Sequence, residues 1–290
     1  MIKDIEYQGF KCLEISNGDA RLIVATSFGP RILCYGLDGG ENVFGWHPGA
    51  AVETEKGTWK PYGGHRLWVA PESKPRSYAP DNDPVEYDLA DGLSVRIMQP
   101  SGGATDFGKE ITVSLDQDGS GVTLDHKITN KTTDRVEIAA WALTIMRPGG
   151  EALVPNEPLL SYGDDSLLPA RSMAVWPYTD FADPRWIFNT DYIGLRCDER
   201  LPNPQKFGIL NKQGWVEYRL PDINFVKRFE FSDGKVYPDM NSNTEVYSAG
   251  GFIEIESLSP VKRVDPGQTI EHRERWELAG NSRFSGNEQQ

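Results

Sequence analysis

Near its C-terminal end the chain reads FIEIESLSP, and Glu254 and Glu256 stand two residues apart within that string. In an extended strand alternate side chains share a face, so both carboxylates point the same way. Phe252 and Leu258 join them there, while Ile253 and Ile255 take the opposite face. Two environments fit this pattern. A surface strand would turn its charges to water and its isoleucines inward. A cleft with apolar walls would instead hold the carboxylates partly out of water. Desolvation and mutual repulsion would then raise their proton affinity, as general acid–base work requires. Alternation alone leaves both environments open.

The densest group of reactive and aromatic residues is YGGHRLWVAPE, Tyr62 to Glu72. Its two glycines permit a tight bend or a close backbone approach. After them His65 and Leu67 alternate with Arg66 and Trp68. An indole face stacks on sugar C–H groups and a guanidinium fork binds hydroxyl or carboxylate oxygens, so the string suits a sugar pocket. The competing interpretation is a core tryptophan beside a salt-bridged arginine. His65 and His126 are the histidines placed to donate a proton, against a purely structural role for each. His47, in Gly-Trp-His-Pro, reads as a loop residue. The histidines lack a metal-site spacing such as HExxH, so no metal is implied; GxSxG, P-loop and GxGxxG strings are also missing.

These residues must be positioned by strands. Period-2 or short apolar runs bounded by Gly, Pro, Asn and Asp recur along the chain. They cover Arg21–Thr26, Ile32–Leu37, Leu93–Met98, Glu110–Leu115, Gly121–Thr129, Arg135–Met146, Phe207–Leu210, Trp215–Leu220, Phe225–Phe231, Phe252–Ser257 and Thr269–Leu278. With 29 Gly, 20 Pro and no convincing helical period, the expected class is all-β. His126 falls on the core side of its strand, with Val122, Leu124 and Ile128. Both faces are apolar from Ile138 to Met146, as in a central strand covered on each side by stacked sheets. The last strand sets Ile270, His272, Glu274, Trp276 and Leu278 on one face. Glu274 there needs a cationic partner, for which Arg66 is the candidate. Long loops are expected over Gly45–Trp59, Glu72–Pro84 and Val154–Arg171, where binding residues often sit.

The 290 residues fit one β domain over 1–280 with a polar, flexible tail at 281–290. A formal charge of −13 without a basic run argues against nucleic acid and anionic membrane partners. The opening MIKDIEYQGF lacks the apolar stretch of a signal peptide, no segment approaches a membrane span, and three widely spaced cysteines favour reduced thiols, so a cytoplasmic location is expected.

Several strings together resemble the galactose mutarotase-like superfamily, the aldose 1-epimerases and their bacterial relatives. RLIVATSFGPRILCYGLDGGENVFG is similar to that family's opening strand pair, and TNKTTDRVEIAAWALTIMRPGG to its central strand pair. FIEIESLSP, followed by VDPGQT and a strand reaching Trp276, is similar to its C-terminal block. The resemblance implies a β-supersandwich of largely antiparallel sheets with a sugar cleft across one sheet. It also implies a cofactor-free reaction in which a Glu takes the anomeric proton and a His protonates the ring oxygen. The Glu carries over to Glu254 or Glu256. The family's catalytic His belongs on the central strand, where this chain has Ala139-Ala140-Trp141-Ala142-Leu143-Thr144, so His65 or His126 is expected to replace it.

The resulting expectation is a sugar isomerase of the aldose 1-epimerase type acting on a small sugar or oligosaccharide. Glu254, Glu256, His65 and His126 would be catalytic, and Arg66, Trp68, Glu72, Tyr62 and Arg31 would contact substrate. The net charge favours a neutral sugar over a phosphate or uronate, unless Arg31 and Arg66 reverse it locally. Hydrolytic or eliminative cleavage on the same fold, and sugar binding without turnover, are the rival readings.

Overall fold

The computed structural model describes residues 1–90, 92–100 and 106–280. The expected tail at 281–290 lies outside the described residues. Two large sheets make up the structure, and every strand pairing in them is antiparallel. The first runs in the order Ile2–Tyr7, Phe10–Ser16, Ala20–Ala25, Arg31–Leu37, His65–Ala70, Val136–Met146, Phe252–Leu258, Thr244–Ala249, Gln205–Ile209 and Met173–Val175. The short strand Lys262–Val264 also pairs with Val136–Met146. The second sheet runs Glu86–Ala90, Ser94–Met98, Phe107–Leu115, Val122–Asn130, Thr269–Gly280, Ile223–Phe229, Trp215–Arg219, Glu151–Pro155, Tyr192–Arg196 and Trp186–Phe188. No described helix is long and apolar enough to cross a membrane.

The inner faces of the sheets share one apolar cluster. Leu22, Ile32, Leu67 and Ala140 of the first sheet pack with Val95, Ile111, Leu124 and Trp276 of the second. Val136–Met146 sits between the strand His65–Ala70 and the strand Phe252–Leu258, and every residue from Ile138 to Met146 is buried. Its outer face meets a separate cluster of Trp59, Trp68, Trp141, Leu143 and Leu258, with Val52 and Tyr78 against it. The doubly covered strand read from sequence is therefore covered by a sheet on one side and by loop aromatics on the other.

The region Gly45–Trp59, expected as loop, folds further than that. Trp46–His47 pairs with Tyr62–Gly63, and Val52–Thr54 forms a hairpin with Gly57–Trp59. Gly63 and Gly64 adopt φ of +133° and +66°, and a Cβ on them would press on the carbonyl oxygens of Gly45 and Ile32. Both freedoms read into the double glycine, the bend and the close approach, are thus used. Cys12, Cys34 and Cys197 are buried free thiols, each pushed up to about 11 by burial.

Candidate functional site

Strand alternation divides the chemically capable residues between two faces of the first sheet. Outward, away from the second sheet, point Arg66, Trp68, Trp141, Glu254 and Glu256. Inward, between the sheets, point His65, Thr144 and Ser257.

On the outward face Glu254 and Glu256 project from one strand, as the sequence requires. Arg66 Nη1 lies 2.7 Å from Glu254 Oε1, across the intervening central strand. The Arg66 guanidinium also covers the Trp68 ring at 4.6 Å and the Trp59 ring at 5.4 Å. Burial pushes the Glu254 carboxyl above its ordinary value, against the pull of Arg66. Glu256 accepts a hydrogen bond from Trp141 Nε1 at 2.8 Å and meets Lys206 Nζ at 3.2 Å. Glu245, opposite Glu256 on the neighbouring strand, approaches the same ammonium at 2.7 Å. Lys206 is sandwiched between the Trp141 and Trp176 rings at 4.8 and 4.5 Å. Burial alone would weaken its hold on the proton, but Glu245 and Glu256 more than reverse that and raise it. Burial drives the Glu245 carboxyl well above its ordinary value, with Lys206 opposing.

The accessible part of this face lies toward Phe252. Half-buried Tyr247 stands opposite Glu254 in register, and half-buried His47 sets its ring 4.8 Å from the Phe252 ring. Glu72 is exposed and accepts a hydrogen bond from the Tyr78 hydroxyl at 2.5 Å. Three ring nitrogens on this side, His47 Nε2, Trp59 Nε1 and Trp68 Nε1, are buried without a hydrogen-bond partner among the described residues.

Several expected residues are placed differently. His65 and His126 are fully buried between the sheets, on the far side of the first sheet from the glutamates. Neither can reach a substrate held on the outward face. Arg66 pairs with Glu254, not with Glu274, because Glu274 belongs to the inner face, where its ion-pair partner is Lys227 at 3.0 Å. Trp68 is packed beneath Trp59 and Tyr78 and is 4% exposed, so it forms wall instead of open platform. Arg31 is buried with Asp81, 2.9 Å away, and also donates to the Lys60 and Pro61 carbonyls. Tyr62 stacks on Phe28 at 4.0 Å. Those two residues are buried, at 0% and 8% exposed, and secure the strand-to-loop junction instead of facing a substrate.

The inner polar group is complete in itself. His126 Nδ1 lies 3.0 Å from the His272 carbonyl, which only accepts, so Nδ1 carries the proton. Burial pushes both His65 and His126 down, so they are neutral. His65 Nε2–H then donates to His126 Nε2 at 2.8 Å, and the Thr144 hydroxyl donates to His65 Nδ1 at 2.9 Å. Ser257 donates to Glu274 at 2.5 Å and accepts from His272 Nε2–H at 2.6 Å. Trp276 Nε1 donates to the other Glu274 oxygen at 2.9 Å. Burial would raise Glu274, but Lys227 and the surrounding donors bring it below its ordinary value. Donor atoms of His65, His126 and Glu274 do converge within 4.8 Å, a grouping that sequence spacing did not reveal. The set does not fit a divalent cation, because Lys227 already neutralises Glu274 and each imidazole nitrogen that faces the group is engaged.

Sequence reading missed Lys206, Glu245, Tyr247 and the position of His47. Glu245 and Tyr247 flank Val246 in TEVYSA, a period-2 signal that was there to be read.

No protein-family model matches the chain, and no curated protein matches it in sequence. Solved structures do match. A galactose mutarotase-like protein of Lactobacillus casei aligns over 92% of this chain and 100% of its own, with TM-score 0.56 and 12% identity. YeaD of Salmonella typhimurium, a candidate mutarotase, aligns over 97% and 94%, with TM-score 0.59 and 11% identity. A TPR-domain-containing protein of Parabacteroides distasonis aligns over 93% of this chain but 47% of its own, with TM-score 0.60 and 12% identity. The chain spans about half the length of that last protein. At 11–12% identity the likeness speaks for architecture alone. The chain has the galactose mutarotase-like fold.

Proposed function

We propose that the outward face of the first sheet binds a sugar and that the protein is an isomerase of the aldose 1-epimerase type. One observation carries the reading. Glu254 and Glu256 project together onto a face where three buried ring nitrogens lack partners and aromatic rings flank the opening. A hydroxyl-rich ring supplies both the acceptors and the apolar C–H face that such a surface takes. Glu254 is the better candidate for proton transfer. It is the more exposed of the two, and burial raises its proton affinity against the pull of Arg66, whereas Glu256 is occupied by Trp141 and Lys206.

A neutral sugar is the favoured class. Glu72, Glu245, Glu254 and Glu256 share the region with Arg66 and Lys206, both already ion-paired, and Arg31 is committed to Asp81. No uncommitted cation among these meets a phosphate or uronate. The pairing of Glu254 with Arg66 and of Glu256 with Lys206 also supports a second reading, sugar binding without turnover.

NMR anomer exchange on free galactose, glucose and xylose separates these. Acceleration over buffer that falls about 100-fold or more in Glu254→Gln supports the isomerase. Binding shifts with no acceleration on any aldose would leave the binding reading and refute the first.

A further inference from the structure

Strand alternation places one lysine inside the molecule. In Phe107–Leu115 every second residue is buried, and that row reads Phe107, Lys109, Ile111, Val113 and Leu115. Lys109 is 6% exposed, and its row belongs to the core between the sheets. Arg31, Arg66, Arg185, Lys206 and Lys227 are buried too, and each has a carboxylate oxygen within 3.0 Å. The Lys109 ammonium has no ion pair or hydrogen bond among the described residues. Asp81 attracts it only from a distance and is bound to Arg31, while Arg31 and Arg66 repel it. Burial dominates and pushes the group down to about 8, which leaves it an ammonium at neutral pH. A buried charge without a counterion is costly, so this lysine differs in kind from the other five.

The Lys109 side chain borders a small cavity. Val69 and Phe107 form apolar walls, and Arg76, Gln99 and Asp106 form polar ones. Arg76 is held there by its loop: Ser77 Oγ donates to the Val69 carbonyl at 3.1 Å, and Arg76 Nη2 donates to the Pro71 carbonyl. Arg76 Nε is buried without a partner among the described residues, and burial lowers the guanidinium with no carboxylate opposing it. Gln99 N–H donates to the Lys109 carbonyl at 3.0 Å, while its side-chain Oε1 is buried and unpartnered among the described residues. Asp106 is committed to Lys56, 2.7 Å away.

We propose that this cavity binds a small oxyanion carrying one hydroxyl, with bicarbonate as the simplest member. Lys109 and Arg76 present cationic N–H donors, which negative oxygens accept best, and the Gln99 oxygen needs a donor. Chloride and formate satisfy the two cations and leave Gln99 unpaired. Water pairs all three groups but leaves both positive charges uncompensated. Size agrees with a one-carbon anion. The cavity offers about 10 Å³ to the centres of water-sized atoms. A sphere of that volume has a radius of about 1.3 Å, roughly one carbon–oxygen bond, which suits a carbonate-type ion and excludes a sugar. The site does not depend on the isomerase reading. Val69 belongs to the inner apolar cluster, so the cavity lies across the first sheet from Glu254 and Glu256.

The test is NMR of carbon-labelled bicarbonate titrated with wild type, Lys109→Met, Arg76→Gln and Gln99→Leu, near neutral pH and at constant ionic strength. Formate and chloride serve as competitors. The expected result is saturable line broadening with wild type, weakened about tenfold or more in Lys109→Met and in Arg76→Gln. Gln99→Leu should bind bicarbonate no better than formate. Thermal melts of the same proteins should show a bicarbonate-dependent rise in wild type that both cation variants lose. Without bicarbonate Lys109→Met should melt no lower than wild type, since it removes an uncompensated charge, and Arg76→Gln tests the site from its rim. Broadening that survives both cation variants, or a melting shift shared equally by chloride, formate and bicarbonate, would overturn the proposal. A separate carbon line split by labelled lysine nitrogen would place a carbamate on Lys109 and overturn it as well.

Discussion

Replacing Lys227 by methionine strands one of the most enclosed charges in the molecule. Glu274 and Lys227 are both 0% exposed and lie 3.0 Å apart. Breaking a buried pair from one side commonly costs about 3–5 kcal/mol. A second limit comes from proton uptake, since the stranded carboxyl can neutralise itself. From an ordinary value of 4.5, that costs about 1.4 kcal/mol for each pH unit above it. The limit is therefore roughly 3.4 kcal/mol at pH 7 and roughly 0.7 kcal/mol at pH 5. In this variant the folded-state affinity of Glu274 is raised, so the deficit is absent below the unfolded value and grows as pH climbs. The wild type has the opposite sign, because Glu274 is held low and its contribution is lost as pH falls. Urea unfolding of wild type and Lys227→Met at pH 5 and pH 8 measures the difference; the ammonium also helps hold His65, His126 and His272 low, so the double variant Lys227→Met, Glu274→Gln, measured at both pH values, separates their titration from that of Glu274. Adding Glu274→Gln should restore most of the loss, since an amide oxygen still accepts from Ser257 or Trp276. A deficit under about 1 kcal/mol at pH 8, or one equal at both pH values, would refute the assignment of a committed ion pair.

Two further substitutions probe the division between faces. His126→Phe leaves the His65 Nε2–H and the His272 carbonyl without partners, so it should destabilise by about 1–3 kcal/mol in urea unfolding while changing sugar turnover less than threefold. Asp81→Asn weakens the hold on Arg31, whose Nη2 donates to both Asp81 oxygens, and should cost about 3 kcal/mol with KM unchanged, which a melt and a saturation curve on the same sample would check.

The strand reading worked where alternation was strict. In Thr269–Gly280 the residues assigned inward, Ile270, His272, Glu274, Trp276 and Leu278, are all buried, and His126 faces the core as expected. The glutamate pair of Phe252–Leu258 also lies on one face. What failed was pairing across strands. Arg66 was offered to Glu274 because both looked like buried charges, but period-2 geometry cannot say which sheet meets which face. Lys227 escaped notice because INFVKRF does not alternate: every residue but Arg228 is buried. His47 was read as loop because its two-residue strand has no period of its own. Its place is set by Gly63 and Gly64 folding back on Gly45, a contact of long range.

The two faces are nevertheless linked through the backbone between them. Lys227 Nζ lies 3.4 Å from the carbonyls of Ala142 and Ile255, the residues that alternate with Trp141 and with Glu254 and Glu256. Its ammonium thus sits directly beneath the strands that carry Trp141, Glu254 and Glu256; burial lowers its hold on its proton, and Glu274, followed by Glu256 and Glu254, opposes that. Interaction between charges is mutual, so the same ammonium favours the ionised form of Glu254 above it. In the Lys227→Met protein, Glu254 should therefore gain proton affinity even though no atom on the outward face has changed. A carboxyl limb of the pH profile that moves upward in Lys227→Met would show that the inner network tunes the cleft as well as supporting it. A limb that stays fixed while stability falls would confine the network to holding the sheets together.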